Sequence, residues 1–166
     1  MKFPSVSGKN LLDRNIRIPE DLRAKRTLII MAFRRSQQDE VDTWIGPLSG
    51  IGDDEFQFLE VPTLGSGYKL IRPIIDGGMK GGIPDPEARK RTVTVYLDKD
   101  DLKKKLMIED EDQIRLFLLD DKGQILWREK GPHSARKFES LEDILNIDRH
   151  YTVLKISPFG ELLKNG

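Results

Sequence analysis

Thr27-Leu28-Ile29-Ile30-Met31-Ala32-Phe33 runs directly into Arg34-Arg35-Ser36-Gln37-Gln38. The first seven residues form an unbroken apolar run rich in β-branched side chains. A strand covered on both faces reads this way, because neither face meets water. The sequence then turns polar, and Val41, Trp44, Ile45 and Leu48 recur on one helical face. Ser36 is placed to cap that helix, with Asp39 three residues later as a variant capping box. Pro47 falls late in the helix, and Gly50 and Gly52 end it. The stretch is therefore a strand-to-helix corner. It carries two arginines, a serine and two glutamines, and no cysteine stands there or anywhere else in the chain.

Upstream, Asn10-Leu11-Leu12 and Ile16-Arg17-Ile18 flank Asp13-Arg14-Asn15, a turn by composition, which predicts an N-terminal hairpin within Phe3 to Pro19. Downstream, Phe56 to Val61 is a second strand. Leu70, Ile71, Ile74 and Ile75 have helical spacing, interrupted by Pro73. Gly77 to Pro86 reads as a loop. Thr92 to Leu97 is a third strand, and Asp98 caps a short helix over Lys99 to Leu106. Glu109-Asp110-Glu111-Asp112 is an acidic connection. Ile114 to Leu119 and Gln124 to Glu129 form a hairpin, with Gly123 supplying the left-handed turn position. Ser140 caps a last helix carrying Leu141, Ile144 and Leu145, and Tyr151 to Ile156 adds an edge strand or a tail. Strands separated by helices imply right-handed crossovers and a mainly parallel centre. The fold class is α/β, three layers with a mixed sheet.

The chain has 166 residues, enough for a single domain over 1–166, with its core at about 3–146 and a C-terminal tail at 147–166. Lys+Arg and Asp+Glu both count 28, so no net charge steers the molecule toward nucleic acid or an acidic membrane. Without cysteine there is no disulfide, thiol nucleophile or thiolate metal site. Leu28 to Phe33 is the longest apolar run, too short for membrane insertion, and Met1 to Ser5 has no signal core. A cytoplasmic location is the expectation.

The element order resembles the thioredoxin fold in its peroxiredoxin-like form, a three-layer sandwich with a mixed central sheet and an N-terminal hairpin. Residues 25–33, 93–99 and 116–125 carry the likeness through their order. A narrower similarity links Phe3-Pro4, Gly8, Asn10-Leu11, Ala32 to Gln38, Val41-Asp42 and Trp44 to a mitochondrial ATP-synthase assembly-factor family and its bacterial relatives. That resemblance implies a thiol-free domain that helps a membrane-sector subunit assemble. Redox members of the fold place Cys-x-x-Cys at the helix start, where the helix N-terminus stabilises thiolate. They also place a cis-proline before the late hairpin, shaping a substrate groove. This chain has Ser36, Gln37 and Gln38 in the first place and Asp112-Gln113 in the second. Thiol–disulfide exchange and cysteine peroxidase chemistry are excluded.

Arg34, Arg35, Ser36, Gln37 and Gln38 form the candidate binding cluster, joined by Gln113 and His133 from the facing groove. A helix start offers free N–H groups, and arginine adds forked donors for carboxylate or phosphate. A solvated helix cap is the competing interpretation. No catalytic residue, metal site or cofactor is expected. Gly77 to Gly82 lacks the phosphate-loop motif, and the two histidines lack metal-ligand spacing. The basic clusters at 89–91 and 103–105 have no interleaved aromatics, as nucleic-acid platforms need. The expected partner is a protein or acidic peptide. The sequence leaves two alternatives open: a thiol-independent enzyme on the same scaffold, and a dimerisation domain.

Overall fold

The structure, a computed structural model, describes the backbone of residues 1–156 and the side chains of residues 1–146. The chain divides into two compact units, residues 1–132 and residues 133–166. The first holds seven strands: β1 (Val6–Asn10), β2 (Asn15–Ile18), β3 (Arg26–Ala32), β4 (Phe56–Gly65), β5 (Val93–Leu97), β6 (Arg115–Asp120) and β7 (Ile125–Lys130). They form one sheet in the order β2-β1-β5-β4-β3-β6-β7. Strands β3, β4 and β5 run parallel, and the remaining pairs are antiparallel. The mixed sheet expected from the sequence is the one observed.

The apolar run of β3 lies at the sheet's interior, and Leu28, Ile29, Ile30 and Met31 are all fully buried. Its two faces pack against different helices. Ile29 and Met31 share a core with Leu102 and Leu106 of the segment α4 (Lys99–Lys105) and its C-cap. Leu28 faces Leu118, which in turn faces Trp127 across β6 and β7. Trp127 meets edge-on the ring of Trp44, from α1 (Gln38–Ser49), at 6.4 Å. Helix, sheet and helix thus make three layers within the first unit.

The N-terminal hairpin joins the sheet through β1, which pairs with β5. This seam requires a glycine. A Cβ on Gly8 would lie 2.4 Å from the Thr94 carbonyl oxygen and 2.8 Å from a Val95 methyl. Gly8→Ala is expected to cost about 1–3 kcal/mol through forced separation of the strands. Urea denaturation checks this; an unchanged midpoint shows that β1 shifts freely.

Several local expectations need correction. Strand β4 continues past Val61 to Gly65. A 3₁₀ stretch at Ser66–Ile71 leads into α2 (Arg72–Gly82), so Gly77 to Gly82 are helical and not loop. Pro73 starts this helix instead of interrupting it, because a first-turn proline forfeits no helical hydrogen bond. Tertiary contacts outweigh its glycines. Asp76 accepts a hydrogen bond from the Tyr96 hydroxyl, and the Arg89 guanidinium donates to the C-terminal carbonyls of Lys80 and Ile83. Arg89 belongs to α3 (Pro86–Arg91), capped by Asp85.

In the second unit, α5 (Ala135–Ile156) begins five residues before Ser140. Ser134 is the capping residue: its hydroxyl oxygen accepts from the Lys137 N–H at 3.2 Å. Tyr151 to Ile156 continues this helix and is neither strand nor tail. The rest of the expected tail, 157–166, lies outside the described residues. No helix among the described residues is long and apolar enough to cross a membrane.

Candidate functional site at the strand-to-helix corner

Strand β3 ends at Ala32, and a 3₁₀ turn at Arg35–Gln37 passes the chain into α1. Residues 34–38 therefore occupy the expected corner. Ser36 sits inside that turn and makes no side-chain cap; α1 starts on Gln38 with Asp39 and Glu40 in its first turn, complementing the helix dipole.

Gln37 points inward and is only 4% exposed. Its carbonyl oxygen accepts from the backbone N–H groups of Phe33 (2.8 Å) and Arg34 (3.3 Å). Its amide nitrogen donates to the Glu111 carbonyl oxygen, 74 residues away. One side chain thereby satisfies two donors at the end of β3 and ties the corner to the loop before β6. Glu40 adds a second tie, its carboxylate accepting from the Ile114 N–H at 3.2 Å. Arg34 adds a third, an exposed ion pair with Asp112 at 3.5 Å. The corner and the loop before β6 are thus braced by the chain's own groups.

Glu111 anchors the facing loop. Its carboxylate accepts from Lys99 Nζ at 2.7 Å and Lys103 Nζ at 2.8 Å. Burial alone raises the Glu111 pKa, but the two lysines outweigh it and hold the carboxyl below the ordinary glutamate value. The hydrogen bond to Glu111 likewise raises Lys103 above the ordinary lysine value. Arg115, buried at the start of β6, donates to Asp110 at 3.3 Å. A lowered carboxylate pKa contributes stability above its unfolded-state value and loses it as the pH falls through the folded-state value. The acid side of the stability profile, from about pH 5 downward, therefore contains a Glu111 component. In Glu111→Gln the urea midpoint at neutral pH drops and its dependence between about pH 5 and pH 3 becomes shallower. A parallel pair of pH profiles speaks against the clamp.

The outward face of the corner differs in character. Arg34, Arg35, Ser36 and Gln38 are exposed, Arg34 at 54% of its side chain. The Gln38 amide donates to Asp42 at 2.9 Å. Next to it lies Glu60 of β4, paired with Arg91 at 3.2 Å. Burial pushes the Glu60 carboxyl above its ordinary value against the pull of Arg91 and Gln38. Ser36 has no base hydrogen-bonded to it among the described residues. Gln113 is half-buried beside the brace. His133 belongs to the second unit, where its ring lies 5.6 Å from that of Phe138. No cluster of three or more metal-ligating side chains occurs among the described residues.

Of the predicted site residues, the structure places Arg34, Arg35, Ser36 and Gln38 together on the outer surface and turns Gln37 into the interior. Glu40, Glu111 and Arg115 escaped the sequence reading. Glu40 stands three residues after Gln37, the residue that precedes α1, and so in the first turn where acidic side chains are favoured. Nothing local marks Glu111, whose lysines are known only once α4 folds.

No protein-family model matches the chain, and no curated protein matches its sequence. Solved structures do match its shape. It is similar to a thiol:disulfide interchange protein from a Bacteroides species, with a TM-score of 0.60 and 19% identity over 87% of this chain and 88% of that one. It is also similar to the thioredoxin domain of a thiol-disulfide oxidoreductase from Bacteroides vulgatus, with a TM-score of 0.58 and 20% identity over 86% and 94%. StoA from Bacillus subtilis aligns with a TM-score of 0.55 and 17% identity over 86% and 97%. The fold is thioredoxin-like. The chain holds no thiol with which to perform the exchange chemistry named for those neighbours.

Proposed function

We propose that this chain is a non-redox binding module on a thioredoxin-like scaffold, whose outer corner recognises a carboxylate-rich protein segment. The observation that carries this reading is the division of labour at residues 34–38. Gln37 is committed to the internal brace, while Arg34 and Arg35 stand exposed beside it. Guanidinium groups suit carboxylates because their forked donors match two oxygens at once. Asp112, the exposed partner of Arg34, is a weak competitor that an acidic ligand displaces at little cost. An assembly role, as implied by the resemblance over residues 3–45, is one form of such binding.

A second reading has its own support. Tyr68, Leu70, Ile71 and Ile74 form an exposed apolar group on the 3₁₀ stretch and α2, with Leu70 93% and Ile74 75% exposed. Apolar surface of this kind favours docking to a second protein or a second copy.

Fluorescence anisotropy with a labelled glutamate-rich peptide separates the two. Arg34→Ala/Arg35→Ala is expected to weaken binding at least about tenfold, a loss of 1.4 kcal/mol, with an unchanged melting temperature. Retained binding in that variant, together with its loss in Leu70→Ser/Ile74→Ser, replaces the first reading by the second.

A further inference from the structure

Far from the corner, the first unit contains a cleft of about 450 Å³. It lies at the opposite end of α1, a twelve-residue helix and so about 18 Å long. The cleft opens beside the first half of β4. Strand β5 pairs with β4 only from Thr63 onward, apart from a bridge at Glu60, so among the described residues no strand lies beside 56–59 on the side away from β3. Leu48, Phe56, Phe58 and Leu59 supply apolar wall.

The mouth is cationic. Arg14, Arg23, Lys90 and Arg91 line it with Asp21 and Glu87. Two of these charges are already matched, Arg91 by Glu60 and Asp21 by Arg17. Asp21 also attracts Arg23. The lining as a whole carries four cations against two carboxylates, a local surplus of two positive charges in a chain whose net charge is zero. None of Arg14, Arg23 and Lys90 forms an ion pair within the described residues. Asn10, 3% exposed, ties together the backbone of two of these residues. Its Oδ1 accepts from the Arg14 N–H at 3.0 Å, and its Nδ2 donates to the Lys90 carbonyl at 3.2 Å. The hairpin turn and α3 are thus fixed side by side, and each brings a cation to the lining of the cleft.

We infer that this cleft is a second binding site, for a small carboxylate with an apolar body. The carboxylate sits among Arg14, Arg23 and Lys90, and the body lies along Phe56, Phe58 and Leu48. The volume is within the range of small-molecule sites. At roughly 30 Å³ per non-hydrogen atom, the share of a water molecule in the liquid, it holds on the order of 15 such atoms. A straight-chain carboxylate of about ten carbons fits that size. The pattern of apolar walls and a few convergent polar groups is the one that fixes ligand orientation.

The test is a titration of the ¹⁵N-labelled 166-residue chain with decanoate, followed by amide shifts. Saturable shifts are expected at Arg14, Arg23, Leu48 to Phe58 and Lys90, with half-saturation below about 1 mM. Arg14→Gln/Lys90→Gln is expected to weaken binding at least about tenfold, with the rest of the spectrum intact. Arg34→Ala/Arg35→Ala is expected to leave it unchanged, which separates this site from the corner. Three results overturn the inference: no saturation by about 1 mM, equal binding of the neutral alcohol decanol, or shifts that cluster outside the cleft.

Discussion

Trp44→Ala lowers the stability of the domain by about 3–5 kcal/mol, the largest loss expected from a single substitution in α1. The indole is fully buried, and it joins three parts of the first unit. Its ring packs edge-on against Trp127 of β7, and its Nε1–H donates to the Gly131 carbonyl at 3.0 Å. Alanine leaves a cavity between α1 and the sheet and orphans that carbonyl. Trp44→Phe keeps most of the ring and is expected to cost less, about 1–3 kcal/mol, largely from the unsatisfied acceptor. Urea denaturation of the two variants checks the order. Equal losses mean that the hydrogen bond, and not the packing, dominates.

Gln37→Ala is expected to cost about 2–4 kcal/mol, an unusual amount for a glutamine. The Phe33 N–H is buried at the end of β3 and loses its acceptor, while Glu111 loses the donor that ties its loop to the corner. Gln37→Glu is not a rescue. A carboxylate still accepts from Phe33 and Arg34, but it cannot donate to the Glu111 carbonyl, and it brings a buried charge beside that oxygen. Both variants are expected to speed amide exchange at Phe33 and Arg34 before the remainder of β3. Native-like protection at these two positions in Gln37→Ala argues that another group holds the corner.

The contrast between these two residues shows what the sequence conveys. Trp44 lies on a helical stripe with Val41 and Leu48, so its burial is legible from spacing alone. The apolar run at 27–33 likewise announces a strand with two covered faces, and Asp120-Asp121-Lys122-Gly123 announces its turn. Gln37 has no such signature. A glutamine at a helix start reads as a tolerated polar residue, and the oxygen that turns it inward is 74 residues away. The helix α2 was hidden for a related reason. Its glycines predict a loop, and the contacts that overrule them come from Tyr96 and Arg89 on other elements. The cleft is hidden too, because Asn10 ties the turn at Arg14 to Lys90, which lies 80 positions beyond Asn10. Local propensity is written in neighbouring residues; long-range polar ties are not.

On the proposed function, the corner works by presenting positive charge to a partner. A charge-reversal exchange measures this most directly. Wild-type protein and Arg34→Glu/Arg35→Glu are each titrated with a glutamate-rich and a lysine-rich peptide of equal length, at low and at high salt. Wild type is expected to prefer the acidic peptide and the variant the basic one, and both preferences are expected to shrink as salt rises. Identical peptide preferences in the two proteins, with both folded, contradict it.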